Sequence, residues 1–365
     1  MKAIRSLKHL FFYLPVLVLL VLNSCKHDNL EIVKENESLR AGADFVKNNY
    51  QLSLFSAAIE KAGMTEELNG KGPFTLLAPT DAAFNAIGIL RPSDFDKMNP
   101  DSLKLLVKGH VLDQRILQKD IPVNGVDVRY RTLAGTQVYC TLASYVGGDV
   151  TKPVNDLFYN GSTVTRKDVQ LTNGCLQLLN KVMKYTPGTV QDWLGSHPDY
   201  SIFVSGLKKF GLWDKLATGG PYTVIAPSNA AFATAKITAA NIDALDPAQY
   251  FGDRLFGAYI LNGKHFFVSD IIALNTISRE GTYIKEVEND VLFVNLNGSK
   301  DNDNATMTYS MRLRTGRSTN SSAVGTAAAG TVIATLDHLT DNGIVHSSIR
   351  IMASLANAKK PITKN

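Results

Sequence analysis

The feature that most constrains the fold of this 365-residue chain is a thirteen-residue segment that occurs twice. Residues 72–84 read GPFTLLAPTDAAF and residues 220–232 read GPYTVIAPSNAAF, with five substitutions that each keep the type of side chain. The segments start 148 residues apart. A repeat period of this length indicates two tandem domains rather than a solenoid of short units, and each copy is long enough to bury its own core.

A second repeated motif has a different spacing. Asn173-Gly174 recurs as Asn342-Gly343, 169 residues later, so the second copy contains about 21 additional residues. We expect them in the stretch 297–330, which is rich in Asn, Ser, Thr, Gly and Ala. Because such a composition buries little apolar surface, this stretch is predicted to be a surface loop or a flexible insert.

The N-terminus predicts export. Three basic residues precede an apolar run at residues 10–22, and Leu-Asn-Ser then leads to Cys25. This order predicts a signal peptide over residues 1–24, since the run is too short to favour a membrane-spanning helix. The ending resembles a bacterial lipoprotein signal, which implies lipid on Cys25 and a tether over residues 25–40. The charged run at residues 26–31 resembles the surface-export signals of Bacteroidota lipoproteins, and we expect an outer-membrane location. The alternative is an ordinary secretory signal with an incidental cysteine.

The net charge argues against nucleic acid as a partner. The formal charge of +5 falls to +2 when the three basic residues of the predicted signal are removed. A value so near zero provides no electrostatic basis for attraction to a polyanion.

The order of periodic patterns predicts an α+β fold in each copy. Apolar residues recur at helical spacing over residues 53–62 and 100–111. Runs typical of strands follow in the first copy, and a last strand comes after each Asn-Gly turn. These runs span residues 74–78, 126–133, 137–142 and 163–171. Helices first and strands later are the arrangement of an α+β domain.

The corner after the first strand has a structural explanation. Pro79 ends the strand because it offers no N–H group to a ladder. Thr80 or Asp81 can then accept hydrogen bonds from the first free N–H groups of the next helix. Ser228 and Asn229 occupy the same positions in the second copy and are equally suited to capping. We therefore interpret these four residues as structural and not as catalytic.

Two cysteines remain once Cys25 is assigned to lipid. Cys140 and Cys175 both lie in strand-like runs of the first copy. In an exported protein they form either a disulfide or two separate buried thiols, and the sequence favours neither. No group of residues has the spacing of a metal site, so we expect neither metal nor cofactor.

The repeated motifs together resemble those of the fasciclin (FAS1) domain family. The family's first motif is similar to residues 75–84 and 223–232, and its second resembles residues 173–183 and 342–352. The resemblance implies two wedge-shaped β-sandwiches, each with helices packed on one side. It also implies adhesion to extracellular protein or glycan without enzymatic activity.

The resemblance also suggests the domain boundaries. We predict a first domain over residues 41–186, a linker over 187–198, a second domain over 199–356 and a tail over 357–365.

Three residues are candidates for binding. His110 matches a family histidine of the first copy and His346 a family histidine of the second. On the apolar face of a helix, His110 is more typical of a core histidine bonded to backbone. Trp193, in the predicted linker, either contacts a ligand or locks the two domains together. Trp213 is predicted to be partly in the core.

The sequence contains no recognisable catalytic motif. The first hypothesis is therefore a non-catalytic surface adhesin that binds an extracellular matrix-like protein or polysaccharide. The second is an accessory glycan-binding lipoprotein beside an outer-membrane transporter. A hydrolase with an unrecognised site is the third.

Overall fold

The structure, a computed structural model, describes residues 39–145, 154–270, 273–274, 283–287, 292–300, 307–315, 323–328 and 336–361. The predicted signal peptide, Cys25 and all but the end of the predicted tether lie outside the described residues. From Arg40 onward the chain forms a single compact unit that contains both copies of the repeat.

Short helices occupy the early part of each copy, as the periodicity predicts. In the first copy they span Gly42–Lys47 (α1), Ser53–Lys61 (α2), Thr65–Asn69 (α3), Asp81–Asn85 (α4) and Pro100–Gly109 (α5). In the second copy they span Val190–Ser196 (α6), Ser201–Lys209 (α7), Asn229–Thr234 (α8), Ala239–Asp243 (α9) and Gly252–Leu255 (α10).

Strands dominate the later part of each copy. In the first copy they span Phe74–Pro79 (β1), Val111–Leu112 (β2), Val128–Arg131 (β3), Gln137–Tyr145 (β4), Val154–Tyr159 (β5), Ser162–Leu171 (β6) and Gly174–Leu179 (β7). In the second copy they span Tyr222–Pro227 (β8), Ile260–Asn262 (β9), Tyr283–Val287 (β10), Leu292–Lys300 (β11), Met307–Arg314 (β12), Ala323–Ala328 (β13), His338–Thr340 (β14) and Gly343–Ser348 (β15).

The strands of the first copy form one curled sheet, in the order β2-β1-β7-β6-β5-β4-β3. β1 and β7 are parallel neighbours, with Phe74 opposite Gly174, and the other neighbours pair antiparallel. A bridge between Leu112 and Thr132 connects the two ends of the sheet. The sheet therefore closes around its own interior.

Consecutive residues of β1 face different cores, because side chains alternate across a strand. Leu76 packs with Phe55 and Phe84 in the core between helices and sheet. Leu77 packs with Val138 in the core inside the curled sheet. Helices on one side and a folded sheet on the other confirm the predicted α+β class.

The second copy repeats the central strand pair. β8 and β15 are parallel, with Tyr222 opposite Gly343, as Phe74 is opposite Gly174 in the first copy. The described strands form two sheets, β14-β15-β8-β9 and β10-β11-β12-β13.

The stretch 297–330 differs from the predicted loop. β11 runs into it, and β12 and β13 lie within it. In β12, Met311 and Leu313 are fully buried while Arg312 between them is exposed. The loop prediction was wrong for these residues, because polar residues at alternate positions are compatible with a strand that buries one face.

Both predicted boundaries of the second domain require correction. The expected linker at 187–198 contains α6, whose Val190 and Trp193 are buried in the second core. The expected tail begins with ordered backbone bonds, since Phe251 N–H donates to Ala358 O at 2.9 Å and Lys360 N–H to Gln249 O at 2.8 Å. The second copy therefore includes α6 and extends to about residue 360.

The predicted cap on the helix that follows is confirmed for Thr80 and Ser228, whereas Asp81 and Asn229 cap an earlier helix. Thr80 Oγ1 accepts the Ala83 N–H at 3.2 Å, and Ser228 Oγ accepts the Ala231 N–H at the same distance. Asp81 instead caps the earlier helix α2. Its carboxylate accepts the Leu54 N–H at 2.8 Å and the Ser53 hydroxyl at 2.6 Å.

The second copy uses an amide for the same contact, because Asn229 Oδ1 accepts the Ile202 N–H at the start of α7 at 3.1 Å. Replacing Asp81 with alanine should lower the free energy of unfolding by about 1–2 kcal/mol through loss of this cap. Asp81→Asn should cost less than about 0.5 kcal/mol, because an amide oxygen still accepts the N–H. Urea titration of both variants tests this, and equal losses would contradict the capping role.

The Asn-Gly turns anchor the first helix of each copy. Asn173 Oδ1 accepts the Gly42 N–H at 3.0 Å, and Asn342 Oδ1 accepts the Val190 N–H at 2.8 Å. The glycine is required by close packing, since a Cβ at Gly174 would lie 2.0 Å from the Phe74 carbonyl oxygen. The predicted turn and final strand are therefore confirmed in both copies.

Cys140 and Cys175 are separate buried thiols. Cys140 lies on β4, whereas Cys175 on β7 contacts the Ile116 carbonyl at 3.3 Å. Burial raises the pKa of both thiols, so neither is a reactive thiolate at neutral pH. Of the two alternatives that the sequence left open, the structure shows the unpaired one.

Candidate functional site

A groove of about 490 Å³ lies where the two copies meet. One wall comes from the first copy and includes Ile87, Met98, Leu105 and Leu106. The opposite wall includes His338 and Leu339 of the second copy, and residues 182–187, which connect the copies, also line the groove. The four apolar side chains of the first wall are partly exposed.

The connecting segment is fixed along an edge strand of the second copy. Tyr185 pairs with Leu339 of β14 in a parallel bridge, and the Thr186 N–H donates to the Leu339 carbonyl at 2.9 Å. The Tyr185 hydroxyl donates to the Asp341 carboxylate, which also accepts the Gly188 N–H at 2.8 Å. These bonds hold the copies on either side of the groove without a free linker.

His110 lines the groove but is fully committed to the backbone. Its Nδ1 lies 2.8 Å from the Leu106 carbonyl, and its Nε2 accepts the Met183 N–H at 3.0 Å. Burial lowers the pKa of His110 to about 4, so the ring is neutral at physiological pH. This geometry is that of a core histidine, and it joins α5 to the segment between the copies.

Trp193 lies behind the opposite wall. Its ring is 4% exposed, stacks on His197 with centroids 3.8 Å apart, and lies 4.9 Å from the His338 ring. The structure therefore supports a packing role for Trp193 over direct ligand contact. Trp213 is partly buried beside Lys208, whose ammonium lies 5.2 Å from its ring, as expected for a residue partly in the core.

His346 is buried away from the groove. Its Nδ1 accepts the Asp337 N–H at 3.1 Å, and its Nε2 lies 2.7 Å from the Phe266 carbonyl. Gln177 makes the equivalent bonds in the first copy, to Asp168 N–H and Ile116 O. Histidine in the second copy and glutamine in the first thus form the same pair of hydrogen bonds to the backbone inside the fold. His346 is not exposed to a ligand.

Asp168 and Asp337 are structural residues that sequence reasoning missed. Both have left-handed backbone conformations, with φ of 56° and 60°, which aspartate tolerates better than most residues. Each carboxylate accepts a backbone N–H, from Gln118 at 3.0 Å and from Val268 at 2.9 Å. The two aspartates match at the 169-residue spacing of the Asn-Gly motif, and this repetition is the signal that identifies them.

A buried polar junction joins the copies beneath the groove. The Thr141 hydroxyl of β4 donates to the Asp270 carboxylate at 2.6 Å, and the Tyr139 ring lies 4.4 Å from the His265 ring. Both nitrogens of His265 are buried without a hydrogen-bond partner among the described residues, and Nδ1 is 3.9 Å from the Asp127 carboxylate. We call these five residues the junction.

Burial also shifts the titration of the junction. It raises the pKa of Asp270 to about 7 and lowers the pKa of His265 to about 4. At the groove, burial lowers the pKa of Lys184 to about 8, and its ammonium donates to the Leu336 carbonyl at 3.3 Å. At neutral pH, therefore, His265 is neutral and Asp270 is partly ionised.

The groove has the features of a binding site. Within the described ranges, no group of three or more His, Cys, Asp or Glu side chains is placed to bind a metal ion. Of the two histidines that line the groove, His110 is occupied by backbone bonds and His338 lies beside Trp193. The apolar wall and the polar connecting segment suit a partner with a mixed surface. No helix in the described part of the chain is long and apolar enough to cross a bilayer.

The chain is similar in sequence to several known proteins. The chain is 29% identical over 143 residues to pig transforming growth factor-beta-induced protein ig-h3, covering 39% of this chain and 19% of that protein. It is 27% identical over 172 residues to human periostin, covering 46% and 19% respectively. With the Synechocystis protein sll1483 it shares 28% identity over 143 residues, 37% of this chain and 68% of that one. The chain thus spans about a fifth of the first two relatives.

Among solved structures, a FAS1 domain pair from the insect cell adhesion molecule Fasciclin I aligns with 86% of this chain and 99% of its own. The identity is 14% and the TM-score 0.35. The family model named Fasciclin domain matches residues 50–185 and again residues 198–348. These two matches cover most of the sequence, and the protein belongs to the fasciclin domain family.

Proposed function

We propose that this protein is a non-catalytic, lipid-anchored binding protein that holds an extracellular protein in the groove between its two fasciclin domains. Membership of the fasciclin domain family supports a role in adhesion or binding. The observation that carries the proposal is the groove itself, whose walls come from both copies.

The chemistry of the groove favours a protein partner. Ile87, Met98, Leu105 and Leu106 present partly exposed aliphatic and thioether surface. Side chains of this kind accept the apolar anchors on which protein interfaces depend, and methionine adapts to irregular shapes. A polysaccharide would favour exposed aromatic faces, whereas Trp193 is buried and the partly exposed Tyr185 shares the groove with four aliphatic or thioether side chains.

A side-by-side binding screen tests the proposal. The chain with Cys25→Ser, which removes the acylated thiol and keeps every described residue, is passed over immobilised collagen, fibronectin and laminin, and over dextran, xylan and alginate. Saturable binding to a protein surface supports the proposal. Binding to polysaccharides alone would overturn it and would favour the accessory role in glycan uptake.

The proposed anchor makes a prediction about location. Cys25→Ser should move the protein from the membrane fraction to the soluble fraction of the producing bacterium, because several acyl chains hold a protein on a bilayer far better than none. Cys140→Ser is the matched control, since that thiol is buried in the fold. Fractionation followed by mass spectrometry of the N-terminal peptide measures both, and an unmodified Cys25 would contradict the anchor.

A further inference from the structure

A second pocket, of about 460 Å³, lies on the second copy and shares no lining residue with the groove. Its volume is within the range of about 300–1,000 Å³ that is typical of small-molecule sites. It is bordered by Gly219 and Gly220 on one side and by the end of β9 on the other. Neither the proposed groove function nor the junction accounts for it.

The floor of the pocket is apolar and fixed. Tyr222 lines it, and the single proton of the tyrosine hydroxyl is shared between the Lys215 carbonyl at 2.9 Å and the Thr218 carbonyl at 3.0 Å. Ile260 and Leu216 complete the floor and belong to the second core. The aromatic side chain is therefore held in one position and remains partly exposed.

Three polar side chains surround this floor: Lys215, Asp253 and Asn262. All three residues are exposed, and no described residue forms a hydrogen bond or an ion pair with their side chains. Asp253 Oδ1 would lie 2.4 Å from a Cβ at Gly257, so the glycine provides the space that this carboxylate occupies. An ammonium, a carboxylate and an amide thus border one cavity, and none of the residues that the structure describes occupies their hydrogen-bonding groups.

We propose that this pocket binds a neutral saccharide. A sugar hydroxyl both donates and accepts, so it can pair with the carboxylate, the ammonium and the amide alike. The C–H face of a sugar ring can pack on Tyr222, as amphipathic ligands do on aromatic side chains. An ion of a single sign would meet one like charge as well as one opposite charge, because Lys215 and Asp253 have opposite charges.

The first copy has different residues at these positions. Strand pairing places β9 149 residues after β2, so Asp253 and Asn262 correspond to Lys104 and Asp113, while Lys215 corresponds to Glu67 at the 148-residue spacing. The two charges are therefore exchanged in the first copy, and a carboxylate replaces the amide. The contacts proposed for the saccharide are those of the second copy.

Saturation-transfer NMR tests the proposal on the full chain with Cys25→Ser. The probes are maltotriose, cellotriose and xylotriose at millimolar concentration, with lysine and glutarate as charged controls. The variants are Asp253→Ala and Asn262→Ala, and Asp113→Ala, at the exposed first-copy position that corresponds to Asn262, is the matched control. We expect transfer to at least one neutral trisaccharide, a loss of at least tenfold in affinity in each pocket variant, and no change in the control.

The other outcomes each overturn the inference. These are transfer to no trisaccharide, transfer only to the charged compounds, and trisaccharide binding that survives both pocket variants. A pocket variant that unfolds is recognised by its one-dimensional spectrum, and Asp253→Asn, which keeps the size of the side chain, then replaces it. Because the groove is not involved, protein binding at the groove succeeds or fails independently.

Discussion

Replacing Asn173 with alanine is expected to lower the free energy of unfolding by about 3 kcal/mol. The side chain is 8% exposed and forms three hydrogen bonds. It accepts the Gly42 N–H at 3.0 Å and donates to the Leu68 and Gly70 carbonyls at 2.8 and 2.7 Å. Alanine leaves all three backbone groups without this partner, and each buried unpaired group costs about 1–3 kcal/mol.

Urea titration measures this loss against two comparisons. Asn342→Ala should cost less, about 2 kcal/mol, because Asn342 makes two such bonds, to Val190 and Leu216. Asn48→Ala, which removes one exposed bond to Asp44, should change stability by less than about 0.5 kcal/mol. If Asn173→Ala were as mild as Asn48→Ala, the anchoring role of the turn would be wrong.

Asp270→Asn is expected to stabilise the protein more strongly as the pH rises. Burial raises the pKa of Asp270 from 3.8 to about 7. The folded state therefore binds more protons than the unfolded state between pH 4 and pH 7, and the stability of the wild type falls as the pH rises through that window. The full cost is about 4 kcal/mol above pH 7, at about 1.4 kcal/mol per pKa unit.

Asparagine removes this titration and keeps the contacts. Its amide can accept the Phe267 N–H, which lies 3.0 Å from Asp270 Oδ2, and donate to the Thr141 hydroxyl. The difference in unfolding free energy between variant and wild type should grow by about 4 kcal/mol from pH 4 to pH 8. Thr141→Val keeps the carboxylate and removes a hydrogen bond that lowers its pKa, so this variant should become less stable relative to wild type, not more stable, as the pH rises. A pH-independent difference for Asp270→Asn would contradict the buried ionisation.

His265 opposes this trend in the wild type. Burial lowers the pKa of His265 from 6.5 to about 4, so its contribution to stability is lost as the pH falls through that window. Because Asp270→Asn retains His265, the opposing contribution cancels in the difference between the two chains. The junction is therefore most stable where the histidine is neutral and the aspartate still protonated.

The parts of the fold that sequence predicted are those where local chemistry is sufficient. The corner that runs from Gly-Pro through the strand to Pro and the helix cap is formed by residues close together in the chain, and so is the Asn-Gly turn. The repeat shows that both copies contain these two features. The contact of Asp81 with Leu54 joins segments 27 residues apart, and no local pattern distinguishes it from a cap on the next helix. The strands within 297–330 were not predicted, because this stretch has few apolar residues and the alternation typical of a half-buried strand is therefore weak.

The groove was beyond the reach of sequence because it depends on how the copies meet. Lys184 and Tyr185 line it from the end of the predicted first domain, and His338 lines it from more than 150 residues further along the chain, in the predicted second domain. The candidate residues followed from motif matching, and His110 and His346 both serve the interior. A polar residue within a repeated motif can stabilise the interior or contact a ligand, and burial distinguishes these two roles.

The most direct test of the account is binding by a groove variant. Leu105 lines the groove and is partly exposed, so Leu105→Glu places a charge on the apolar wall without emptying a core. Leu90 is 68% exposed outside the groove, and Leu90→Glu is the same chemical change elsewhere on the first copy. Surface plasmon resonance on the protein found in the screen should show at least a tenfold loss of affinity for Leu105→Glu and wild-type affinity for Leu90→Glu. Equal affinities in all three chains would show that the groove is not where this protein binds.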